Sequence, residues 1–189
     1  TPPPRLQLLL PNAIDFKACL VSWFHVHTIR RRHMSITISQ ASGSADIEQA
    51  RELFAVYARS LPVDLAYQDF ETELAALPGK YAAPGGALLL ARNGQGLAIG
   101  CVAVRPLEPG ACEMKRLYVS PDGRGSGAGR RLAQAAITEA RDLGYGELRL
   151  DTLPSMTAAQ GLYRSIGFIA TESYYDTPVE GTVFLSLQL

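Results

Sequence analysis

A chain of 189 residues is long enough for one domain with a proper core and too short for two comfortable ones. Apolar residues make up 47% and charged residues 19%, an ordinary balance for a globular protein, and a net charge of zero gives no global case for nucleic acid or an anionic membrane as partner. Three widely spaced cysteines, Cys19, Cys101 and Cys112, show no ligand spacing; they point to a reducing, cytoplasmic compartment and away from a disulfide framework or a structural zinc site.

The neutrality hides an asymmetry. Residues 1–33 hold five basic side chains (Arg5, Lys17, Arg30, Arg31, Arg32) against Asp15 alone, together with all three histidines, which leaves thirteen basic and seventeen acidic side chains for the rest. The apolar stretch from Leu6 to Phe24 is broken by Pro11, Asp15 and Lys17, short of the roughly 20 apolar residues that span a bilayer. Its basic cluster comes last, where a secretory signal would place it first. Residues 1–33 therefore read as an extension, either upstream, non-native or disordered sequence or a basic targeting arm, and residues 34–189 as the functional domain.

In that domain, Ser35 to Ser39 alternates polar and apolar residues, which predicts a half-buried strand. Ser44 and Asp46 offer N-caps for a helix through about Ser60, with Ile47, Ala50, Leu53, Phe54 and Tyr57 at helical spacing. A second helix is predicted over Ala66–Leu77, closed by Pro78-Gly79. Three tightly connected strands follow at Ala87–Arg92, Leu97–Arg105 and Cys112–Val119, so they should be antiparallel neighbours. A glycine-rich loop from Pro121 to Gly129 then feeds a helix to Leu143, stopped by Gly144 and Gly146. Glu147–Thr152 reads as a strand, Ser155 or Thr157 as the cap of a helix to Ile166, and Phe168–Tyr175 with Thr182–Leu187 as a closing antiparallel pair. The order β-α-α-β-β-β-α-β-α-β-β predicts an α/β (α+β) fold: a mixed, mostly antiparallel six- to seven-stranded sheet with helices on both faces.

The most informative segment is Arg124-Gly125-Ser126-Gly127-Ala128-Gly129-Arg130. It sits between a strand and a helix, where unpaired first-turn amides and the positive end of the helix dipole meet. Three alternate glycines allow positive φ and close approach, which makes a cradle for phosphate oxygens, with Arg124, Arg130 and Arg131 adding charge at its rim. A Walker A loop would need Gly-Lys followed by Ser or Thr, and none is present. Gly123-x-Gly125-x-x-Ala128 fits a dinucleotide fingerprint loosely, with Asp151 ending the next strand, but that fold should begin with its glycine loop rather than follow four strands. A glycine-rich surface turn is the remaining alternative.

Preceded by Leu117-Tyr118-Val119-Ser120-Pro121, this loop resembles the R/Q-x-x-G-x-G/A signature of the GNAT superfamily of N-acyltransferases. Leu162-Tyr163-Arg164-Ser165-Ile166-Gly167-Phe168, about forty residues on, resembles its second signature, L-Y-x-x-x-G-F. The resemblance covers 34–189 in element order and about 113–168 in motif detail. It implies a GNAT-like acyl-CoA N-acyltransferase fold, acetyl-CoA as cosubstrate, no metal, and transfer of the acetyl group to an amine of a small molecule or peptide. A non-catalytic acyl-CoA-binding module is the alternative, and a nicotinamide-dependent oxidoreductase a third.

By match of position, the resemblance puts the coenzyme pyrophosphate on the backbone of Arg124, Gly125, Ser126, Gly127, Ala128 and Gly129, with Arg130 adjacent. The pantetheine arm would pair with the backbone of Leu117, Tyr118 and Val119, a Leu117 amide would polarise the thioester carbonyl, and the sheet would splay between Cys112–Val119 and Glu147–Thr152. Tyr163 matches the family's acid for the coenzyme thiolate, or else it only packs on the sulfur. With no histidine after His33, a carboxylate must serve as base, directly or through water, unless the amine arrives already neutral and needs none. Glu113 matches the glutamate used in some members, or it is a solvated strand-edge charge or a partner of Lys115 or Arg116; Glu147 and Asp151 are weaker candidates. Met156 stands where many relatives carry an asparagine that binds the cofactor or orients the acceptor.

The acceptor is not legible here. Lys115 and Arg116 could attract a carboxylate or be surface charges, while the acidic balance of the core leans toward a cationic acceptor. Relatives often dimerise through late strands; Val183-Phe184-Leu185 is apolar enough to permit a homodimer, and core packing explains that run as well.

Overall fold

The computed structural model describes residues 35–189, and the expectations attached to residues 1–33 lie outside them. Strands β1 (Thr37–Gln40), β2 (Ala87–Arg92), β3 (Ala98–Glu108), β4 (Ala111–Val119), β5 (Glu147–Thr152), β6 (Ile169–Ala170) and β7 (Val183–Gln188) form one sheet in the order β1-β2-β3-β4-β5-β7-β6. Neighbours are antiparallel except β4 and β5. Local chemistry sets the tight connections: Asn93 Oδ1 accepts from the amides of Gln95 and Leu97 before β3, and Gly110, at φ 82°, turns β3 into β4.

Helices α1 (Gly43–Ser60), α2 (Phe70–Ala75), α3 (Ala128–Asp142) and α4 (Thr157–Ser165) cover both faces, as the element order predicted. Strand alternation divides the core between them. Leu88, Leu90, Cys101 and Ala103 pack under α1 and α2 with Leu53, Phe54 and Phe70. Leu89, Val102, Val104, Met114, Leu148 and Leu150 pack under α3 and α4 with Leu132, Ala136 and Tyr163. Helix α3 lies close to the sheet because Gly100 faces it; a Cβ there would stand 3.1 Å from Leu132 Cδ1 and 2.7 Å from Tyr118 O. Phe184 and Leu185 of β7 are buried within this chain's own core. Among the described residues, no helix is long and apolar enough to cross a membrane, and no group of three or more His, Cys, Asp or Glu is arranged to hold a metal ion.

Three local expectations are corrected. Ser42 rather than Ser44 or Asp46 is the cap position of α1, and Asp46 reaches back to accept its amide at 3.0 Å. The helix expected over Ala66–Leu77 is broken: a 3₁₀ turn spans Leu65–Gln68, capped by Asp64, and Asp69, left-handed at φ 56°, separates it from α2. The strand expected over Phe168–Tyr175 is two residues long, because Tyr174 and Tyr175 turn inward onto Phe184, with ring centroids 5.1 and 5.3 Å away.

Candidate active site

Strands β4 and β5 pair only at Ala111–Glu147, Cys112–Leu148 and Glu113–Arg149. Beyond that rung, β5 follows β7 as far as Thr152–Val183 while β4 follows β3 as far as Val119. The strands part, and a wedge opens through the sheet. Its walls on the α1/α2 side include Tyr57, Gln68, Lys115 and Asp151; on the α3/α4 side they include Leu117, Thr152, Met156 and Tyr163. The wedge is narrow, with a cavity of about 40 Å³. The Thr152 hydroxyl in its wall is buried without a hydrogen-bond partner among the described residues.

A bulge shapes the β4 wall. Cys101 and Ala103 of β3 oppose Tyr118 and Lys115, so two steps on β3 match three on β4, and Arg116 takes up the extra residue at φ 58°. Lys115 and Arg116, adjacent in sequence, consequently reach the same α1/α2 face. Their reading as surface charges is corrected: they are 6% and 5% exposed. The Arg116 guanidinium donates from Nε and Nη2 to the two Glu73 oxygens at 2.8 and 3.0 Å and from Nη1 to Gln68 Oε1 at 2.8 Å, and it lies 5.2 Å from the centre of the Phe70 ring. The broken second helix brings Gln68, Phe70 and Glu73 to it. Lys115 Nζ donates to Asp151 Oδ1 at 2.7 Å and stands 3.4 Å from Glu113 Oε1.

Electrostatics sort the titratable groups. Burial opposes ionisation of Asp151, but the Lys115 ammonium outweighs it and holds the carboxyl below its ordinary range; Arg116 does the same for Glu73. Burial raises the phenol of Tyr163 and pushes Tyr57 up to about 12, so both stay protonated through neutral pH.

Glu113 is fully buried at the closed end of the wedge, on its last paired rung. Arg105 holds Oε2 from Nε at 2.7 Å, while the Tyr174 hydroxyl donates to Oε1 at 2.8 Å. Its carboxylate is therefore an internal counter-charge with both oxygens engaged, not a solvated strand-edge group. Glu147 lies two rungs earlier, paired with Arg149. Asp151 is the carboxylate that shares the wedge with Tyr163 and Leu117. The Tyr118 side chain turns away to pack 5.9 Å from Tyr57, and Val119 packs on the α3/α4 core. Met156, rather than the expected Ser155 or Thr157, occupies the cap position of α4, and Gln160, which no motif singled out, donates to the carbonyls of Leu153 and Pro154 at 3.1 and 3.2 Å.

At the wide end of the wedge, a 3₁₀ turn over Pro121–Gly123 leads into the glycine loop. Gly125 and Gly127 take positive φ of 74° and 85°, whereas Gly129 lies in the first turn of α3, so the three alternate glycines do not serve one conformational purpose. Ser126 folds its hydroxyl onto Gly123 O. The amides of Gly125 and Gly127 meet no backbone partner among the described residues, while that of Ala128 donates to Ser126 Oγ at 3.4 Å. Arg124, Arg130 and Arg131 are exposed beside them, which makes this end of the wedge suited to an anion.

The comparisons with known proteins agree with this geometry. Residues 48–168 match the model of the acetyltransferase (GNAT) family. An uncharacterized N-acetyltransferase of Schizosaccharomyces pombe is 40% identical over 156 residues, covering 82% of this chain and 96% of its own. A GNAT-family acetyltransferase from Staphylococcus aureus Mu50 superposes with a TM-score of 0.68 at 19% identity, covering 82% of this chain and 99% of that one. The yncA protein of Salmonella typhimurium, solved with its cofactor acetyl-CoA, does so at 0.59 and 22% identity, covering 81% and 93%. A sheet parted after its third parallel rung, a loop of free amides beside it and the matched family model together place the chain in the GNAT acetyltransferase family, as an acetyl-CoA-dependent N-acetyltransferase.

Proposed function

We propose that the protein moves an acetyl group from acetyl-CoA to a primary amine of a small molecule or peptide by direct transfer. The observation that carries this reading is the wedge itself: one opening through the sheet puts a protonated phenol, Tyr163, and an ionised carboxylate, Asp151, on walls facing opposite sides. The residues present fit the cosubstrate. The glycine loop offers free amides and three arginines to a pyrophosphate, and the unpartnered Thr152 hydroxyl offers a bond to a polar group in the wedge. Arg124 to Gly129, with Arg130, would hold the pyrophosphate, and the β4 edge at Leu117, Tyr118 and Val119, released by β5, would pair with the pantetheine arm. A Leu117 amide turned into the wedge would polarise the thioester carbonyl.

Transfer exchanges an S–C bond for an N–C bond, so the amine loses one proton and the departing sulfur gains one. Tyr163 holds a proton on Oη for the sulfur, and burial keeps it there at neutral pH. Of the carboxylates, Asp151 is the one in the wedge; its Lys115 partner keeps it ionised at the expense of basicity, so it accepts a hydrogen bond from the incoming amine and steers the amine's proton toward water. Glu113, held by Arg105 and Tyr174, fixes the closed end of the wedge in this reading, a change from the base role that resemblance implied. The buried, free Cys101 and Cys112 suit the reducing cytoplasm. The test is release of free thiol from acetyl-CoA across a panel of amines, with Tyr163→Phe as control. Turnover that collapses in the variant while acetyl-CoA binding persists supports direct transfer; no turnover with any amine would overturn it.

A further inference from the structure

The α1/α2 mouth of the wedge continues into a second cavity of about 300 Å³, with which it shares Tyr67, Gln68 and Lys115. Tyr175, Arg105 and Asp69 complete its walls. Gln68 Nε2 donates to the Tyr67 hydroxyl at 3.0 Å and stands 3.5 Å from that of Tyr175, so the 3₁₀ turn before α2 and the loop between β6 and β7 meet across the entrance.

The cations near this mouth already have partners. Arg116 is held by Glu73, Lys115 by Asp151 and Glu113, and Arg105 by Glu113. A carboxylate on the acceptor would have to compete with buried internal counter-ions for each of them. The two segments that reach the mouth, residues 61–79 and 165–189, carry no lysine or arginine; the cations that flank them are Lys80, 3.9 Å from Glu73, and Arg164. The segments carry Asp64, Asp69, Glu71, Glu172, Asp176 and Glu180, and every one of these six is exposed. The opposite end of the wedge has the reverse sign, with exposed Arg124, Arg130 and Arg131 at the glycine loop. A field of this kind draws an anion to one face of the sheet and a cation to the other.

We infer that the acceptor is an aliphatic di- or polyamine, a multiply cationic amine with no carboxylate near the reacting nitrogen, which enters past Tyr67 and Tyr175 and delivers one nitrogen to Asp151. The acidic rim and the two tyrosine rings hold its remaining charge outside the wedge. This inference rests on the acetyl-transfer reading and selects a substrate class within it.

The experiment compares three aliphatic amines of similar length with acetyl-CoA and the full chain: 1,5-diaminopentane, its carboxylated counterpart lysine, and 5-aminopentanoate. The diamine is expected to exceed both carboxylates in kcat/KM by at least about tenfold, with a preference that shrinks as salt rises from low to high ionic strength. The double variant Asp69→Asn/Asp176→Asn is expected to raise the diamine KM by about threefold or more while kcat and the acetyl-CoA KM hold; asparagine also tolerates the left-handed conformation of residue 69. Equal or better use of either carboxylate, a preference indifferent to salt, or an unmoved KM in the double variant overturns the inference and leaves acetyl transfer standing. Silence with all three acceptors and with the wider amine panel, while acetyl-CoA still binds, overturns both.

Discussion

Replacing Glu73 with glutamine removes a charge and almost no volume, so it isolates the ion pair that anchors the bulge. The side chains of Arg116 and Glu73 are 3% and 2% exposed, and the guanidinium spans both carboxylate oxygens. Removing one partner of a buried pair costs about 3–5 kcal/mol, because the other charge is left uncompensated. The glutamine oxygen keeps one of the two bonds and Gln68 keeps its own, which favours the lower end, about 3 kcal/mol. Lys80, 3.9 Å from Glu73 and 43% exposed, changes this little. For a domain of this size the expected fall in Tm is then about 6–12 °C. The pH dependence has a definite sign. Burial pushes the Glu73 carboxyl up but Arg116 outweighs it, so the folded pKa lies below the unfolded value of about 4.3. The stabilisation is complete above that value and is lost as pH falls through the folded one. Thermal melts by circular dichroism should show a constant gap between the parent and Glu73→Gln from pH 5 to 8, closing below about pH 4. A companion, Glu73→Leu/Arg116→Met, should recover part of the lost stability: apolar replacement removes the desolvation cost, while the left-handed backbone at residue 116 remains. A Tm change under about 2 °C at neutral pH, or a gap that persists undiminished in acid, would refute the reasoning.

Tyr163→Phe should lower kcat by on the order of 10²-fold with the acetyl-CoA dissociation constant nearly unchanged, read by thiol release and by calorimetry. Because burial raises this phenol, the parent should show no alkaline loss of kcat from it below about pH 10. Asp151→Asn should cost on the order of 10²-fold in kcat/KM, whereas Glu113→Gln should appear chiefly as a lower Tm; the reverse pattern would return the base role to Glu113. Gly127→Ala meets open space but must hold φ at 85°, a strain of about 1–2 kcal/mol, so the KM for acetyl-CoA should rise by roughly 5- to 30-fold with kcat preserved.

The layout of the sheet was legible because its signals are local. The alternation at Ser35–Ser39, the short apolar run Ala87–Arg92 and punctuating glycines such as Gly110 and Gly144 mark strands and the places where strands and helices end. The aromatic and β-branched stretch Phe168–Tyr175 misled for a related reason: the composition suits a strand, while the contacts that turn Tyr174 and Tyr175 inward come from Phe184 on a later strand. The standing of Glu113 was not legible from its surroundings in sequence, since one partner, Arg105, lies on the neighbouring strand and another, Tyr174, is 61 residues away. The left-handed conformations of Asp69 and Arg116 carry no glycine to announce them.

Arg116 shows what such an unannounced conformation does. A left-handed arginine costs about 1–2 kcal/mol, and the two hydrogen bonds to Glu73 with the Phe70 ring behind them offset that cost. The extra residue shifts the phase of β4 by one. Cys112 and Met114 face α3 and α4, and strict alternation would put residues 116 and 118 on that side as well; instead Leu117 and Val119 pack there while Tyr118 goes to Tyr57. The slip aims the Leu117 wall at the side that carries the glycine loop and Tyr163, and leaves Lys115 on the other side with Asp151. In the proposed reading, the cosubstrate wall and the acceptor wall of one strand thus owe their separation to a single backbone irregularity, held in place by the ion pair between Arg116 and Glu73 of α2.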